Sequence, residues 1–247
     1  MAVWVSALLA LMIGGRALAA PLADERVASP AVEVTRVGLG YGSAYLVRGD
    51  AGVVLVDAGL RGSAGRILRT ARRAGIEPED IDLIVATHVH KDHAGGVAEV
   101  ARRTGAQVAV QADGEALFAQ GLGAPVIPQT PWGHLVALVG RNHRLPAVQA
   151  TVVVEEQLDL APWGISGLVL ATPGHTACSQ SLVVPGQFAV VGDLVVGPRG
   201  GAPNLQQLPD QVVPSIRAVL EHEPAELWLG HGGRVPADRV SRWVRGP

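Results

Sequence analysis

The sequence predicts an α/β layered sandwich, with sheets inside and helices outside. Short alternating apolar segments separated by glycine-rich turns give way to helical spacing, and that order then recurs in the second half. The chain's 247 residues are 48% hydrophobic, enough for one domain that buries roughly 70–75% of its unfolded surface without disulfides. No low-complexity tract or linker divides it.

Three strands come first, at Val32–Val37, Ala44–Arg48 and Val53–Asp57, divided by the turns Gly38–Gly42 and Gly49–Gly52. In Ser63–Ala74, Ile67, Leu68 and Ala71 fall at helical spacing, and Gly75 is the stop. Ile81–Ala86 reads as a buried strand ending in Thr87, Val97–Arg103 as a helix and Gln107–Gln111 as a strand. The second half offers strands near Thr151–Val154, Ile165–Ala171, Ser181–Val184 and Phe188–Val191, then a helix around Val212–Glu221. A last strand, Glu226–Leu229, precedes a short helix at Pro236–Val244. Gly114–Pro146 differs, with prolines at 125, 128, 131 and 146 and poor periodicity. It reads as an irregular insertion, either a lid over a site or a packed connection between the halves.

Composition narrows the function. A formal net charge of −2 argues against nucleic acid as a partner, which asks for a basic patch. Aromatic residues at 4% argue against stacking platforms, and the apolar fraction excludes disorder. Ala2–Ile13 is an uncharged apolar run too short for a stable membrane anchor but long enough for a signal-peptide core. Ala17-Leu18-Ala19 supplies a small-x-small cleavage site, so residues 1–19 are read as a signal peptide and 20–247 as the single mature domain, periplasmic or secreted. A start at Met12 would make the protein cytoplasmic instead.

The chain has 8 His but only 1 Cys, and the histidines are concentrated. Thr87-His88-Val89-His90-Lys91-Asp92-His93 places three imidazoles and a carboxylate within six residues. A strand end followed by a tight turn aims His88 and His90 to one side, while Asp92 and His93 begin the next helix. Imidazole with carboxylate suits zinc, with iron or manganese as alternatives. His175 in Thr172-Pro173-Gly174-His175, Asp193 in Gly192-Asp193 and His231 in Gly230-His231-Gly232 each follow an apolar strand, and all three are expected to face one metal site.

This combination resembles the metallo-β-lactamase superfamily of metal-dependent hydrolases across essentially the whole mature chain. The resemblance implies an αββα four-layer sandwich with a site between the sheet edges. It implies that His88, His90 and His175 hold a first metal, that Asp92, His93 and His231 hold a second, and that Asp193 bridges them. Asp57, before a turn, matches an aspartate of supporting role. The cofactor implied is two Zn2+ per chain, activating water for attack on an ester, thioester or lactone carbonyl of a small-molecule substrate. The same resemblance implies that Asp92 and Asp193 are the catalytic carboxylates, both tempering the dications and Asp92 orienting the nucleophile.

The pattern is nearest the glyoxalase II and lactonase-like members. Cys178 lies three residues beyond His175 rather than at a ligand position, which speaks against a Cys-ligated β-lactamase, and it reads as a small buried side chain. A β-lactamase remains the alternative hydrolase, and a mononuclear iron persulfide dioxygenase the alternative of another class. Tyr41, Tyr45, Asn204 and His134 are the candidates for an oxyanion partner. Lys91, His143 and His222 read as surface residues, with Arg141 and Arg144 beside His143 available to an anionic substrate.

Overall fold

A computed structural model describes residues 25–28, 32–139 and 144–245. The signal-peptide reading at 1–19, and the surface reading of Arg141 and His143, lie outside the described residues.

Two mixed sheets form the centre. The first contains β1 (Glu25–Ala28), β2 (Glu33–Gly38), β3 (Ser43–Arg48), β4 (Val53–Val56), β5 (Ile81–Val85), β6 (Gln107–Gln111) and β7 (Val152–Val154), side by side in chain order. It is antiparallel from β1 to β4 and parallel from β4 to β7. The second contains β8 (Gln157–Asp159), β9 (Leu168–Ala171), β10 (Gln180–Val184), β11 (Phe188–Gly192), β12 (Glu226–Leu229) and β13 (Gly233–Pro236). Its pairs are antiparallel except β11 with β12.

Side chains of successive strand residues point to opposite faces, and this period builds three cores from two sheets. Val54, Val56, Leu83 and Val85 face Leu182, Val184, Val190 and Trp228 across the inter-sheet core. Their neighbours Val53, Leu55 and Ile84 point the other way, onto Ile67 and Leu68 of the helix Ala64–Arg73 and Val97 and Val100 of the helix Val97–Thr104. On the far side, Val183, Val191 and Leu227 meet Val212, Ile216 and Val219 of the helix Pro209–Leu220, and Val240 of the helix Ala237–Arg245. Helix, sheet, sheet, helix is the four-layer αββα sandwich that the resemblance implies.

Three expectations are corrected. The strand near Thr151–Val154 does not open the second half: β7 joins the first sheet parallel to β6, so the boundary between sheets falls later in the chain. The strand expected over Ile165–Ala171 starts at Leu168, because Gly164 to Gly167 turn the chain with bonds back to Leu160. The segment Gly114–Pro146 is less irregular than expected and carries the helices Ala112–Ala119 and Pro131–Val139. In the first of these only Gly114 and Phe118 are buried, four apart, beside alanines of no fixed side, so the sequence shows no apolar stripe. The sequence reading also passed over β1, β8 and β13, short segments defined by their pairing to neighbours rather than by strong alternation.

Candidate metal centre

The chemistry-bearing residues stand where strands end. Asp57 follows β4, the His88–His93 run follows β5, His175 follows β9, Asp193 follows β11 and His231 follows β12. All these ends lie at one rim of the sandwich, since β4 runs parallel to β5 and β11 to β12, while β9 and β11 both oppose β10.

The structure brings all seven expected site residues together. His88 Nε2 and His175 Nε2 lie 3.0 and 3.2 Å from His90 Nδ1. His93 Nε2 lies 3.2 Å from His231 Nε2, which is itself 3.2 Å from Asp92 Oδ2. Asp193 spans the two sets, with Oδ1 3.5 Å from His93 Nε2 and Oδ2 3.5 and 3.8 Å from His231 Nε2 and His175 Nε2. The five rings are buried, at 8% exposure or less.

The outer faces of the rings settle which nitrogen carries the proton. His175 Nδ1 donates to the Leu205 carbonyl at 2.7 Å and His231 Nδ1 to the Tyr41 carbonyl at 3.0 Å, because a carbonyl oxygen only accepts. His93 Nδ1 donates to Asp57 Oδ2 at 2.7 Å. The Thr87 hydroxyl donates to the same carboxylate at 2.8 Å, leaving its lone pair to accept from His88 Nδ1 at 3.2 Å. With the outer nitrogens protonated, the neutral rings of His88 and His175 turn bare inner nitrogens toward His90 Nδ1, and those of His93 and His231 turn theirs toward each other. The inner nitrogens of His93 and His231 lie 3.2 Å apart, where two lone pairs repel unless a positive charge, a proton or a metal ion, lies between them. Asp193 Oδ1 is also buried with no hydrogen-bond partner. A borderline cation satisfies every one of these groups, and imidazole with carboxylate in an open, rather than Cys-rich closed, set is the donor chemistry of such a site.

Electrostatics divide the two sets. Burial and the neighbouring rings push His88 well below the ordinary imidazole value, and burial with His175 pushes His90 down to about 3. His175 is lowered too, chiefly by burial. Burial opposes charge on His93 and His231 as well, but Asp193 with Asp57 raises the first, and Asp193 with Asp92 the second. Burial likewise disfavours the ionised carboxylates, yet the His231 hydrogen bond holds Asp92, and the charges of His231 and His93 hold Asp193, well below the usual carboxylate range. The second set thus prefers net positive charge next to two carboxylates.

Two glycines make room. Gly192 has φ 52°, and a Cβ there would sit 2.6 Å from Thr87 Oγ1. A Cβ on Gly230 would sit 2.5 Å from Asp193 Oδ1. Asp57 is left-handed at φ 61° and buried, accepting from Thr87 N at 2.8 Å as well as from the hydroxyl and His93, which accounts for its place before the turn.

Of the oxyanion candidates, only Tyr41 stands at the centre. Its ring packs on His231, with centroids 4.6 Å apart. Burial, then the charges of Asp92 and Asp193, raise its phenol well above the ordinary tyrosine value. Tyr45 is fully buried, donates to the Leu229 carbonyl and meets Trp228 edge-on, so it is a core residue. His134 is exposed and bonds the Thr130 carbonyl just ahead of its helix, while Asn204 accepts from Gln129 N through its backbone. His222 is half-buried, and Cys178 is buried in the core below the first sheet. The supporting roles of Thr87, Leu205 and the Tyr41 carbonyl had no counterpart in the sequence reading.

The model of the metallo-beta-lactamase superfamily matches residues 37–233. A hydroxyacylglutathione hydrolase of Acidiphilium cryptum is 26% identical over 165 residues, covering 66% of this chain and 56% of the relative. A metal-dependent hydrolase of Thermococcus kodakarensis is 36% identical over 73 residues, 29% of each protein. The match therefore spans less than two thirds of the length of either relative. Among solved structures, a subclass B3 metallo-beta-lactamase from a soil metagenome library is 26% identical with a TM-score of 0.60, covering 80% of this chain and 76% of that one.

Proposed function

Since the chain belongs to the metallo-beta-lactamase superfamily, we propose that it is a dinuclear zinc hydrolase of an ester, thioester or lactone, working after export. His88, His90 and His175 would hold one ion, Asp92, His93 and His231 the other, with Asp193 shared. The observation that carries this reading is Asp193, whose two oxygens face donors of both sets. Bound zinc supplies polarisation of a carbonyl and a water whose pKa falls to about 7.

The chain's own groups do the rest. Asp92 and Asp193, both held ionised, offset the dications, and Asp92 Oδ2 is placed to orient a water and hold its proton. Four outer-face hydrogen bonds, to Thr87, Asp57 and the Leu205 and Tyr41 carbonyls, fix the rings of His88, His93, His175 and His231 against rotation. The phenol of Tyr41, free of hydrogen bonds among the described residues, is available to donate to the oxyanion that develops on the carbonyl. No seryl or cysteinyl nucleophile is required.

The test combines metal analysis with a panel of a neutral ester, a lactone, a lactoylglutathione-type thioester and a β-lactam. Two zinc per chain with turnover of an acyl ester, thioester or lactone supports the reading. Turnover of the β-lactam alone favours the second reading, a β-lactamase, which the likeness to the metagenomic enzyme motivates. One iron per chain and no hydrolysis sinks both and points to a persulfide dioxygenase.

A further inference from the structure

Gln180 opens β10 in the second sheet, yet its donors serve the first. It is 1% exposed. Its backbone N–H donates to the Thr87 carbonyl at 2.8 Å. Its side-chain Nε2 donates to the Ala86 carbonyl at 2.7 Å and, more weakly, to that of Ala109 at 3.4 Å. Carbonyls of successive strand residues point to opposite edges. One residue grips both 86 and 87 here because β5 has ended at Val85 and the chain is turning into His88. Gln180 Oε1 is buried with no hydrogen-bond partner, a cost that an apolar side chain of the same length avoids. Packing alone does not account for a glutamine at this position.

Both ends of this link are firmly held. Thr87 donates to Asp57 through its N–H and its hydroxyl, at 2.8 Å each, and accepts from His88 Nδ1. On the other side, the Thr172 N–H donates to the Ser179 carbonyl at 2.8 Å and closes the loop that carries His175. Inside that loop the hydroxyls of Thr176 and Ser179 lie 2.8 Å apart. Ser179 leads directly into Gln180, which therefore joins the His175 loop to the His88–His90 turn across the space between the sheets. The three rings converge at His90 Nδ1, at 3.0 and 3.2 Å, so sliding one arm against the other changes the opening of this set. The other set has ties of its own beside His231: the Ser43 N–H donates to the Gly230 carbonyl at 3.1 Å, and Tyr45 to the Leu229 carbonyl.

We propose that Gln180 is a positioning residue: it sets the spacing of His88 and His90 against His175, and through that spacing the metal affinity of this set, without touching an ion. The proposal rests on the dinuclear reading above and deepens it by giving each donor set a separate tie between the sheets.

The test compares Gln180→Met, which keeps the length of the side chain and removes its donor, with Leu182→Ala. Leu182 lies two residues along β10 in the inter-sheet core, so its truncation loosens the packing without removing a side-chain hydrogen bond. Zinc titration of the full chain against a competing chelator reads both affinities, and the one that vanishes in His175→Ala marks the first set. Gln180→Met is expected to weaken that set by about tenfold and to leave the Asp92–His93–His231 set unchanged. Leu182→Ala is expected to lower Tm and spare both. If Gln180→Met does not fold, Gln180→Asn, which withdraws the amide by one carbon, is held to the same outcomes. Unchanged affinity, an equal loss in both sets, or the same selective loss in Leu182→Ala overturns the proposal and leaves the dinuclear reading intact. If the wild-type chain takes up no zinc, the dinuclear reading fails, and hydrogen exchange of the metal-free chain then judges the tie alone. Faster exchange over both 86–93 and 172–180 in the Gln180 variant, but not in Leu182→Ala, supports it. Unchanged exchange, or an equal rise in both variants, overturns it.

Discussion

Replacing Asp57 by Asn is expected to weaken the Asp92–His93–His231 set for metal by about 10–100-fold while leaving the fold and the other set intact. Asp57 is 1% exposed and left-handed at φ 61°, a conformation open to Asn as to Asp, so the main chain has no reason to move. Asn keeps one carbonyl oxygen, which serves Thr87 N at 2.8 Å and its hydroxyl at 3.0 Å. The other oxygen becomes an NH2 facing His93 Nδ1, now 2.7 Å away. Two donors cannot meet, so His93 presents a lone pair at Nδ1 and moves its proton to Nε2. That nitrogen is 3.2 Å from His231 Nε2 and 3.5 Å from Asp193 Oδ1, and once protonated it cannot ligate. The expected loss corresponds to about 1.4–2.8 kcal/mol at 1.4 kcal/mol per factor of ten. Zinc titration against a competing chelator reads the two affinities separately, and a thermal melt of the metal-free protein checks the fold. Unchanged affinity at both sites, or an equal loss at both, would refute the tautomer argument.

Three further outcomes follow from the same geometry. Tyr41→Phe should keep its full metal complement and the stacking on His231 but lower kcat by about tenfold or more, with KM little altered; steady-state kinetics on the same ester separates the two. Gly192→Ala forces a side chain into φ 52° and against Thr87, so the folded state should be destabilised by about 2 kcal/mol or more, a fall of roughly 4–8 °C in Tm at 2–4 °C per kcal/mol. Cys178 is 2% exposed and burial pushes its thiol up, so Ellman's reagent should leave it untouched in the native protein and react promptly once guanidinium unfolds the chain.

The site was more legible than the frame around it, for a local reason. His88 to His93 crowd their donors into six consecutive positions, and His175, Asp193 and His231 each sit directly after an apolar run, so both signals lie within short windows. The supports of those rings carry no such mark. Leu205 and Tyr41 contribute backbone carbonyls from 30 and 190 positions away, and any residue type offers a carbonyl. The strands of the sandwich were visible wherever a short apolar run lay between turn residues, as in Val53–Val56, whose four buried residues feed two different cores. The affiliation of β7 was not, because three valines in Val152–Val154 specify a strand but not which sheet accepts it. Tyr45 and Tyr41 show the same limit at single-residue scale. Four positions apart, one is sealed beside Trp228 and the other faces Asp92 and Asp193, a difference set by where β3 begins.

Every one of the three histidines or aspartates contributed from beyond β9 is needed to complete a donor set begun beyond β5. His88 and His90 wait for His175, and Asp92 and His93 wait for His231. An ion in either set is thus a rivet driven through both sheets at the rim where the apolar inter-sheet core ends. Binding at 100 times the dissociation constant adds about 2.7 kcal/mol per independent site to the folded state, delivered where the layers would first part. Stripping such a metal would then do more than silence the chemistry: it would leave the two halves of the sandwich held by side-chain packing and by a few hydrogen bonds between the sheets, such as those from Tyr45 to the Leu229 carbonyl and from Gln180 to the Ala86 carbonyl.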